Sequence, residues 1–314
     1  MEKGEWLMTD KAEHTLPDYR DLPPDVAERM AQIKKRDYVL KIDHVTKEFV
    51  QKRSRVKALD DIEFGVHRRE LVCVVGPSGC GKSTLIRILA GLEDPTSGHI
   101  LMDGKSVHGP GADRGMVFQK YTLFPWLDVC QNVMFGIEMA GVSRLEAQRQ
   151  ALQWLQMIGL EQFAKAYPHQ LSGGMQQRVA IARALAASPR VLLMDESFSA
   201  LDAQTRTKMQ NYLMEIWRKI DITIVFITHD LDEAIYLADR ILVLKPNPGR
   251  VEEVIEVPLS RPRRAEQMTS DEFLATKAHL EELIRSFGVP DENAEDEDVK
   301  IDLPLLTLVT DKVE

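Results

Sequence analysis

The stretch ELVCVVGPSGCGKSTLIRIL, Glu70 to Leu89, decides the fold. Its first six residues end in a continuous apolar run of the kind that is buried on both faces of a parallel sheet. GPSGCGKST, Gly76 to Thr84, follows at once. Gly76, Gly79 and Gly81 let the backbone approach a phosphate closely and turn successive N–H groups towards it, with Pro77, Ser78 and Cys80 between them. Lys82 is placed to reach the β- and γ-phosphates, the Ser83 hydroxyl can bind Mg²⁺, and Thr84 completes the motif. STLIRILAGL then reads as a helix with Leu85, Ile88, Leu89 and Leu92 on one face, closed by the turn at Pro95 and Gly98. A strand, a glycine loop and a helix in this order predict a phosphate cradle rather than an ordinary turn.

Outward from the loop, RGMVFQ, VLLMDE, ITIVFITH and RILVL read as central strands, each followed by polar or helical sequence. This βα alternation predicts a parallel sheet wrapped by helices. Short strand-like runs with charged turns precede it from Tyr38. Between Gln119 and Leu171 the strand signals stop, and Leu152, Leu155 and Ile158 mark a helical insertion. At its far end stands LSGGMQQRVAIARAL, Leu171 to Leu185, where Ser172, Gly173 and Gly174 open a helix whose N-terminus favours an anion.

The 314 residues, 44% of them hydrophobic, suffice for one large domain or two modest ones. A net charge of −9 argues against a general nucleic-acid binder, which needs a basic face. Cys73, Cys80 and Cys130 have neither disulfide nor zinc-site spacing. No apolar run approaches the roughly 20 residues that span a bilayer, and the start MEKGEWLMTDKAEH has no basic-then-apolar leader. If the protein works at a membrane, another chain must span it.

Asp195 and Glu196 end an apolar strand, where carboxylates emerge at the sheet edge beside the phosphate loop. Asp195 reads as the group orienting Mg²⁺, and Glu196 as a general base or water-positioning group for attack on the γ-phosphate. By themselves they also fit a simple strand-end acid pair. His229, ending ITIVFITH, is placed to contact the γ-phosphate, although a strand-end histidine is commonly structural. Gln119 ends RGMVFQ and also fits a strand-capping amide. Phe49 in VTKEF fits either an adenine-stacking aromatic or a core residue.

The phosphate loop, VLLMDE and LSGGMQQ, in this order across Val39 to Val257, resemble the ATP-binding cassette (ABC) ATPases. The resemblance implies an α/β fold: a P-loop NTPase core with a parallel sheet, an antiparallel β subdomain and an inserted helical subdomain. It makes Gln119 a metal-touching glutamine, His229 a switch histidine, and Ser199 to Asp202 a loop in which Asp202 helps bind the nucleotide. It also makes Ser172 to Gly174 a clamp over ATP held by a second ATPase subunit, identical or not, in a head-to-tail dimer. Ser197 stands where importers commonly have proline, and Ser199 where near relatives often have glycine.

GPGADRGMVFQKYTLFPWLDV, YPHQLSGGMQQRVAIARALA, LDAQTR and THDLDEAIYLADRILVL look like the nitrate, sulfonate, taurine and bicarbonate importer subgroup. That implies an ATP- and Mg²⁺-dependent ATPase, peripheral at the cytoplasmic face of a bacterial inner membrane. Its partners would be transmembrane permease subunits and, indirectly, a periplasmic substrate-binding protein. The segment Tyr121 to Trp126 resembles a permease-receiving surface, with Phe124, Pro125 and Trp126 offering apolar contact; core placement is the alternative. Cassettes acting on nucleic acid or the ribosome are the rival class, but the coiled coils, zinc modules or second cassette usual there are missing from this sequence.

Three regions follow: an N-terminal extension, residues 1–37, the cassette, 38–259, with its helical part at about 120–171, and a C-terminal extension, 260–314. A short helix is predicted at Asp25 to Arg36 with Met30 and Ile33 on one side. SDEFLATKAHLEELIRSFG predicts a second helix capped by Ser270 and stopped at Gly288, with Phe273, Leu280, Ile284 and Phe287 near one face. Such a stripe predicts docking on the cassette or its partner, with a frayed, functionally idle tail as the alternative. The acidic DENAEDED, 291–298, reads as a solvated linker to IDLPLLTLV, whose Pro304 restricts it to an edge segment.

Overall fold

In the computed structural model the described residues are 16–51, 54–120 and 122–288; the acidic linker and apolar tail lie outside them, as does Tyr121. Two sheets form the body. The smaller is antiparallel and ordered β2–β1–β4–β5, with β1 at Tyr38–Gln51, β2 at Ser54–His67, β4 at Ser97–Met102 and β5 at Lys105–Ser106. The larger is ordered β10–β9–β3–β8–β7–β6. Its members are β3 Leu71–Val75, β6 Arg114–Val117, β7 Val191–Asp195, β8 Thr223–Ile227, β9 Arg240–Lys245 and β10 Arg250–Glu256.

Within the larger sheet β3 pairs in parallel with β8 and β9, and β7 with β6 and β8, as βα alternation requires; β10 alone runs antiparallel. All five β3 residues are buried. Leu71, Cys73 and Val75 face one core and Val72 and Val74 the other, so a continuous apolar run is the sequence form of a strand covered on both sides. The parallel register brings the ends of β3, β8, β7 and β6 to one edge of the sheet. Ligands of open α/β sheets bind outside the carboxyl ends of the strands.

Helix α2, Lys82–Leu89, buries Leu85, Ile88 and Leu89 as predicted, but Leu92 is exposed. The reason is local. The helix ends at Ala90, and Gly91 turns the chain with φ +72°, where a Cβ would lie 2.0 Å from the Gly109 carbonyl oxygen. In the helical insertion, α3 (Val129–Met139) packs with α4 (Arg144–Met157) and with α5 (Gly173–Ala186). Leu155 and Ile158 are buried there, whereas Leu152 is exposed; Ala147, Ala151 and Leu155, four residues apart, make the inward row. Each large aliphatic side chain buried in this way contributes about 1.5–3 kcal/mol.

Both terminal helices pack on the body of the molecule, through ion pairs Arg29–Asp239 and Lys34–Glu256 for the first and contacts with the Leu231–Leu237 helix for the last. Helix α1 spans Pro24–Lys34, two residues shorter at its end than predicted, and buries Val26 with Met30 and Ile33. Helix α8, Asp271–Ser286, is capped by the Ser270 hydroxyl, which accepts from the Phe273 N–H at 3.3 Å, and Gly288 follows at φ +65°. It buries Phe273, Ala275, Thr276 and Leu280 and packs against α7, Leu231–Leu237. Leu283 and Phe287 continue the contact, while Ile284, expected on that face, is only half-buried and lies outside the packed row.

Candidate functional site

The loop after β3 is shaped by contacts that exclude side chains. A Cβ on Gly76, which has φ +152°, would lie 2.3 Å from the Leu244 carbonyl oxygen, and one on Gly81, with φ +96°, 2.5 Å from Leu59 Cδ2. Gly81 is the N-cap of α2 and offers no capping side chain, so the first-turn N–H groups of the helix face the loop. Lys82 is buried beneath the loop, its ammonium donating to the carbonyls of Gly76 at 2.6 Å and Pro77 at 3.1 Å. Cys80 is fully buried, and burial pushes its thiol pKa up against the opposing charge of Lys82. Ser78, Gly79 and Ser83 are exposed, with Pro77 and Thr84 half-buried.

The adjacent strand ends bring three predicted residues together. His229 Nδ1 lies 3.4 Å from Glu196 Oε2, and the Gln119 amide nitrogen lies 3.4 Å from the same oxygen. Glu196 adopts φ +43°, a left-handed conformation that costs a non-glycine residue energy and is held by its N–H bond to the Ile227 carbonyl at 2.9 Å. His229 is aimed by the start of α7: Asp230 caps that helix through Glu233 N–H, and its own N–H donates to Thr228 Oγ1. Contacts of this length are at the loose end of hydrogen bonding, as is common for catalytic groups without their ligand.

Asp195 sits one residue before Glu196. Burial, and then the neighbouring Glu196 carboxylate, push its carboxyl above the usual range, against weaker pulls from Arg87 and Lys82. With the Ser83 hydroxyl and the Gln119 amide, Asp195 offers oxygen donors only, the set a hard cation such as Mg²⁺ takes, and the crowded carboxylates favour a divalent cation. The residues therefore fit the metal.

Ser199 was legible only as a departure from glycine. In the structure its hydroxyl donates to the Glu196 carbonyl at 2.9 Å, and Gln119 Nε2 reaches it at 3.3 Å. Ser197 is fully buried, with its hydroxyl 3.4 Å from the Val117 carbonyl, so it ties β7 to β6 where proline has no hydroxyl to donate.

Other predicted positions lie apart from this cluster. Ser172 caps α5, accepting from Met175 N–H at 3.4 Å, and a Cβ on Gly174 would meet Thr205 Cγ2 at 2.6 Å. The Ser172–Gly173–Gly174 loop thus abuts α6, Ala203–Lys219. Asp202 caps α6; hydrogen bonds from Thr205 hold its carboxyl below the usual range, which explains its residue type without a ligand. Phe49 is not a core residue: it is 38% exposed on β1, with the Lys47 ammonium 5.1 Å from its ring centre.

The Phe124–Pro125–Trp126 segment is at the surface, and Trp126 is 70% exposed. Buried Asn132 fixes it, accepting from Phe124 N–H and donating to the Phe124, Leu127 and Asp128 carbonyls. Among the described residues no helix is long and apolar enough to cross a membrane.

Comparison with known proteins agrees with this geometry. The ABC transporter family model matches residues 59–199. An uncharacterised ABC transporter ATP-binding protein of Methanocaldococcus jannaschii is 52% identical over 261 residues, 82% of this chain and 97% of that protein. A nitrate import ATP-binding protein of Synechocystis is 52% identical over 70% of the chain and 83% of its own length, and a taurine import ATP-binding protein of Rhizobium johnstonii 50% identical over 68% and 82%. Among solved structures, a dimeric ATP-binding cassette in a post-hydrolysis state bound to ADP and Pi superposes with a TM-score of 0.63 at 35% identity, covering 69% of this chain and 98% of that one. With relatives 50–52% identical over 68–82% of its length, the chain belongs to the ABC transporter ATP-binding proteins and is an ATPase.

Proposed function

We propose that this chain hydrolyses ATP at a head-to-tail dimer interface and so drives uptake of a small anion of the nitrate, sulfonate, taurine or bicarbonate type through separate permease subunits. The observation carrying the catalytic part is the convergence of Gln119 and His229 on Glu196 beside the Gly76–Thr84 loop. The phosphate chain lies in the loop, cradled by N–H groups from Gly76 to Thr84. Lys82 turns from the loop carbonyls to the β- and γ-phosphates, exchanging neutral acceptors for anionic oxygens. Glu196 accepts a proton from, or orients, the attacking water, and His229 holds that water and the γ-phosphate in line. Phe49 stacks on the adenine. Ser83, Gln119 and Asp195 hold Mg²⁺, which when bound neutralises charge on the phosphate oxygens.

The reading divides the chain into a cassette at 38–259 flanked by extensions at 1–37 and 260–314. Ser172, Gly173 and Gly174 close over the nucleotide of the second subunit, with Asp202 placing the loop that faces it. The dimeric cassette bound to ADP and Pi, 35% identical to this chain, supports a paired arrangement. Relatives named for nitrate and taurine import support the anion class, and exposed Trp126, its ring centre 5.6 Å from that of half-buried Phe124, supports a permease contact there. The chain then works at the cytoplasmic face of the membrane, with a periplasmic binding protein delivering cargo from the other side. A nucleic-acid role is not favoured by the net charge of −9 or by the transporter relatives.

Ser172→Arg tests the shared site, because it blocks a clamp without touching the chain's own phosphate loop. Light scattering is expected to show loss of the ATP-driven dimer while ATP still binds each monomer. Unchanged dimerisation and turnover would overturn the reading.

A further inference from the structure

At the edge of the central sheet away from Gly76, the two extensions meet the cassette around a cavity of about 490 Å³. Asp239 marks this edge: it precedes β9, and its carboxylate accepts from the N–H of Leu71, the first residue of β3. Six guanidiniums line the cavity. Arg29 and Arg36 come from the N-terminal extension, Arg69 and Arg218 from the cassette, and Arg261 and Arg263 from the C-terminal extension. Among its described lining residues Glu215 is the one acid, and Glu215 pairs with Lys219 at 2.8 Å.

Part of this charge has a structural task. Arg29 and Arg261 bond Asp239 Oδ1 at 3.0 and 2.9 Å, and Arg69 donates to the carbonyls of Trp217, Arg218 and Ile220. Those contacts do not account for the rest. Arg263 gives its hydrogen bonds to the backbone carbonyls of Tyr236, Ala238, Leu259 and Ser260, and no carboxylate among the described residues pairs with it. Burial, and then the Arg261 charge, push its pKa well down, which a bound anion would reverse. Arg36 and Arg218 stand exposed at the rim. Trp217 lines the apolar wall; it is 5% exposed, and its indole N–H has no acceptor among the described residues.

We propose that this cavity binds a small organic anion carrying at least two negative charges, at a site separate from the nucleotide loop. Guanidiniums match planar oxyanions such as carboxylate, sulfonate and phosphate esters. The volume falls within the roughly 300–1,000 Å³ of small-molecule sites and is far more than an inorganic ion fills. Its wall of Trp217, Met214 and Pro262 suits a carbon body. Three separate regions of the chain supply the charge, so the ligand fastens both extensions to the cassette.

Calorimetry on the full chain with ADP occupying the nucleotide site tests this, using naphthalene-1,5-disulfonate and inorganic sulfate as probes. Saturable binding of the disulfonate is expected, with sulfate at least about tenfold weaker, a difference of about 1.4 kcal/mol. Arg36→Glu with Arg218→Glu, both at exposed positions, should weaken disulfonate binding at least about tenfold, while Lys82→Ala leaves it unchanged. A readout needing no variant is hydrogen exchange: the amides of residues 24–34 should slow when the disulfonate is bound. No disulfonate binding, equal binding of sulfate, loss of binding in Lys82→Ala, or indifference to the two glutamates would each overturn the proposal.

Discussion

The two edges of the central sheet treat an aspartate in opposite ways. Asp195, ending β7 at the loop edge, is partly buried beside a second carboxylate, and burial pushes its carboxyl up. Asp239, preceding β9 at the far edge, is more deeply buried, yet its carboxyl is held below the usual range. Burial alone pushes it up; the charges of Arg261 and Arg29 and the Leu71 N–H outweigh that. One edge keeps its acids under-compensated and within reach of solvent, so that a ligand can supply what they lack. The other satisfies its acid internally, and there the acid holds the extensions in place. Function and attachment are thus separated along strands only five or six residues long.

Asp239→Asn should give the largest stability change. It leaves Arg29 and Arg261 facing a neutral group, and breaking a buried pair costs about 3–5 kcal/mol. Urea unfolding should report that loss, while ATP affinity measured below the transition stays at the wild-type value. The pH dependence follows the same sign: a carboxyl depressed in the folded state stabilises above its unfolded pKa of about 3.9 and loses that contribution as pH falls through the folded value. Wild-type stability should therefore drop on acidification more steeply than that of Asp239→Asn, and parallel curves would show that the arginines do not hold this acid.

Gly76→Ala is expected to cost about 1–3 kcal/mol at the other edge, because its φ and the Leu244 carbonyl both oppose a side chain. Unlike Asp239→Asn, it should also weaken ATP binding. Asp195→Asn should act in the opposite sense on ligand-free stability. A carboxyl raised in the folded state subtracts stability at pH above its unfolded value, so the amide should raise the melting temperature while reducing hydrolysis. A lower melting temperature would contradict the contrast between the two edges. The smallest effect is expected from His279→Ala on α8, whose imidazole bonds Glu253 at 2.8 Å and stacks on Tyr19 at 3.8 Å between ring centres. About 1 kcal/mol is expected there. Tyr19 also donates to Glu253, so the loss should appear as faster exchange in α8 and around Tyr19 alike.

The loop edge was legible because its determinants are local. Gly76 to Thr84, VLLMDE and ITIVFITH each place their functional groups within a few residues of a strand end, and period-two or continuous apolar patterns locate strand ends. What escaped were pairings across the chain. Ser199 stands 80 residues from Gln119, and Arg29 stands 210 from Asp239; no spacing rule connects them. Nothing in the sequence singled out Asn132, whose task is to bond a loop eight residues earlier. Leu92 was misplaced because apolar periodicity does not report where a glycine ends a helix. Docking of α8 was legible from its capped apolar stripe, but its partner, α7, was not.

Glu196→Gln tests the central claim most directly, because it keeps the shape of the side chain, its strained backbone position and its neighbours Gln119 and His229 while removing the carboxylate charge. Phosphate release and ATP binding should be measured on the same preparation. Steady-state hydrolysis is expected to fall by about 10²–10⁴-fold, the contribution typical of a positioned base, with ATP affinity unchanged and an ATP-bound dimer accumulating. Phosphate release at the wild-type rate would contradict the assignment of Glu196, and with it the reading of the loop edge as the place where the water is activated.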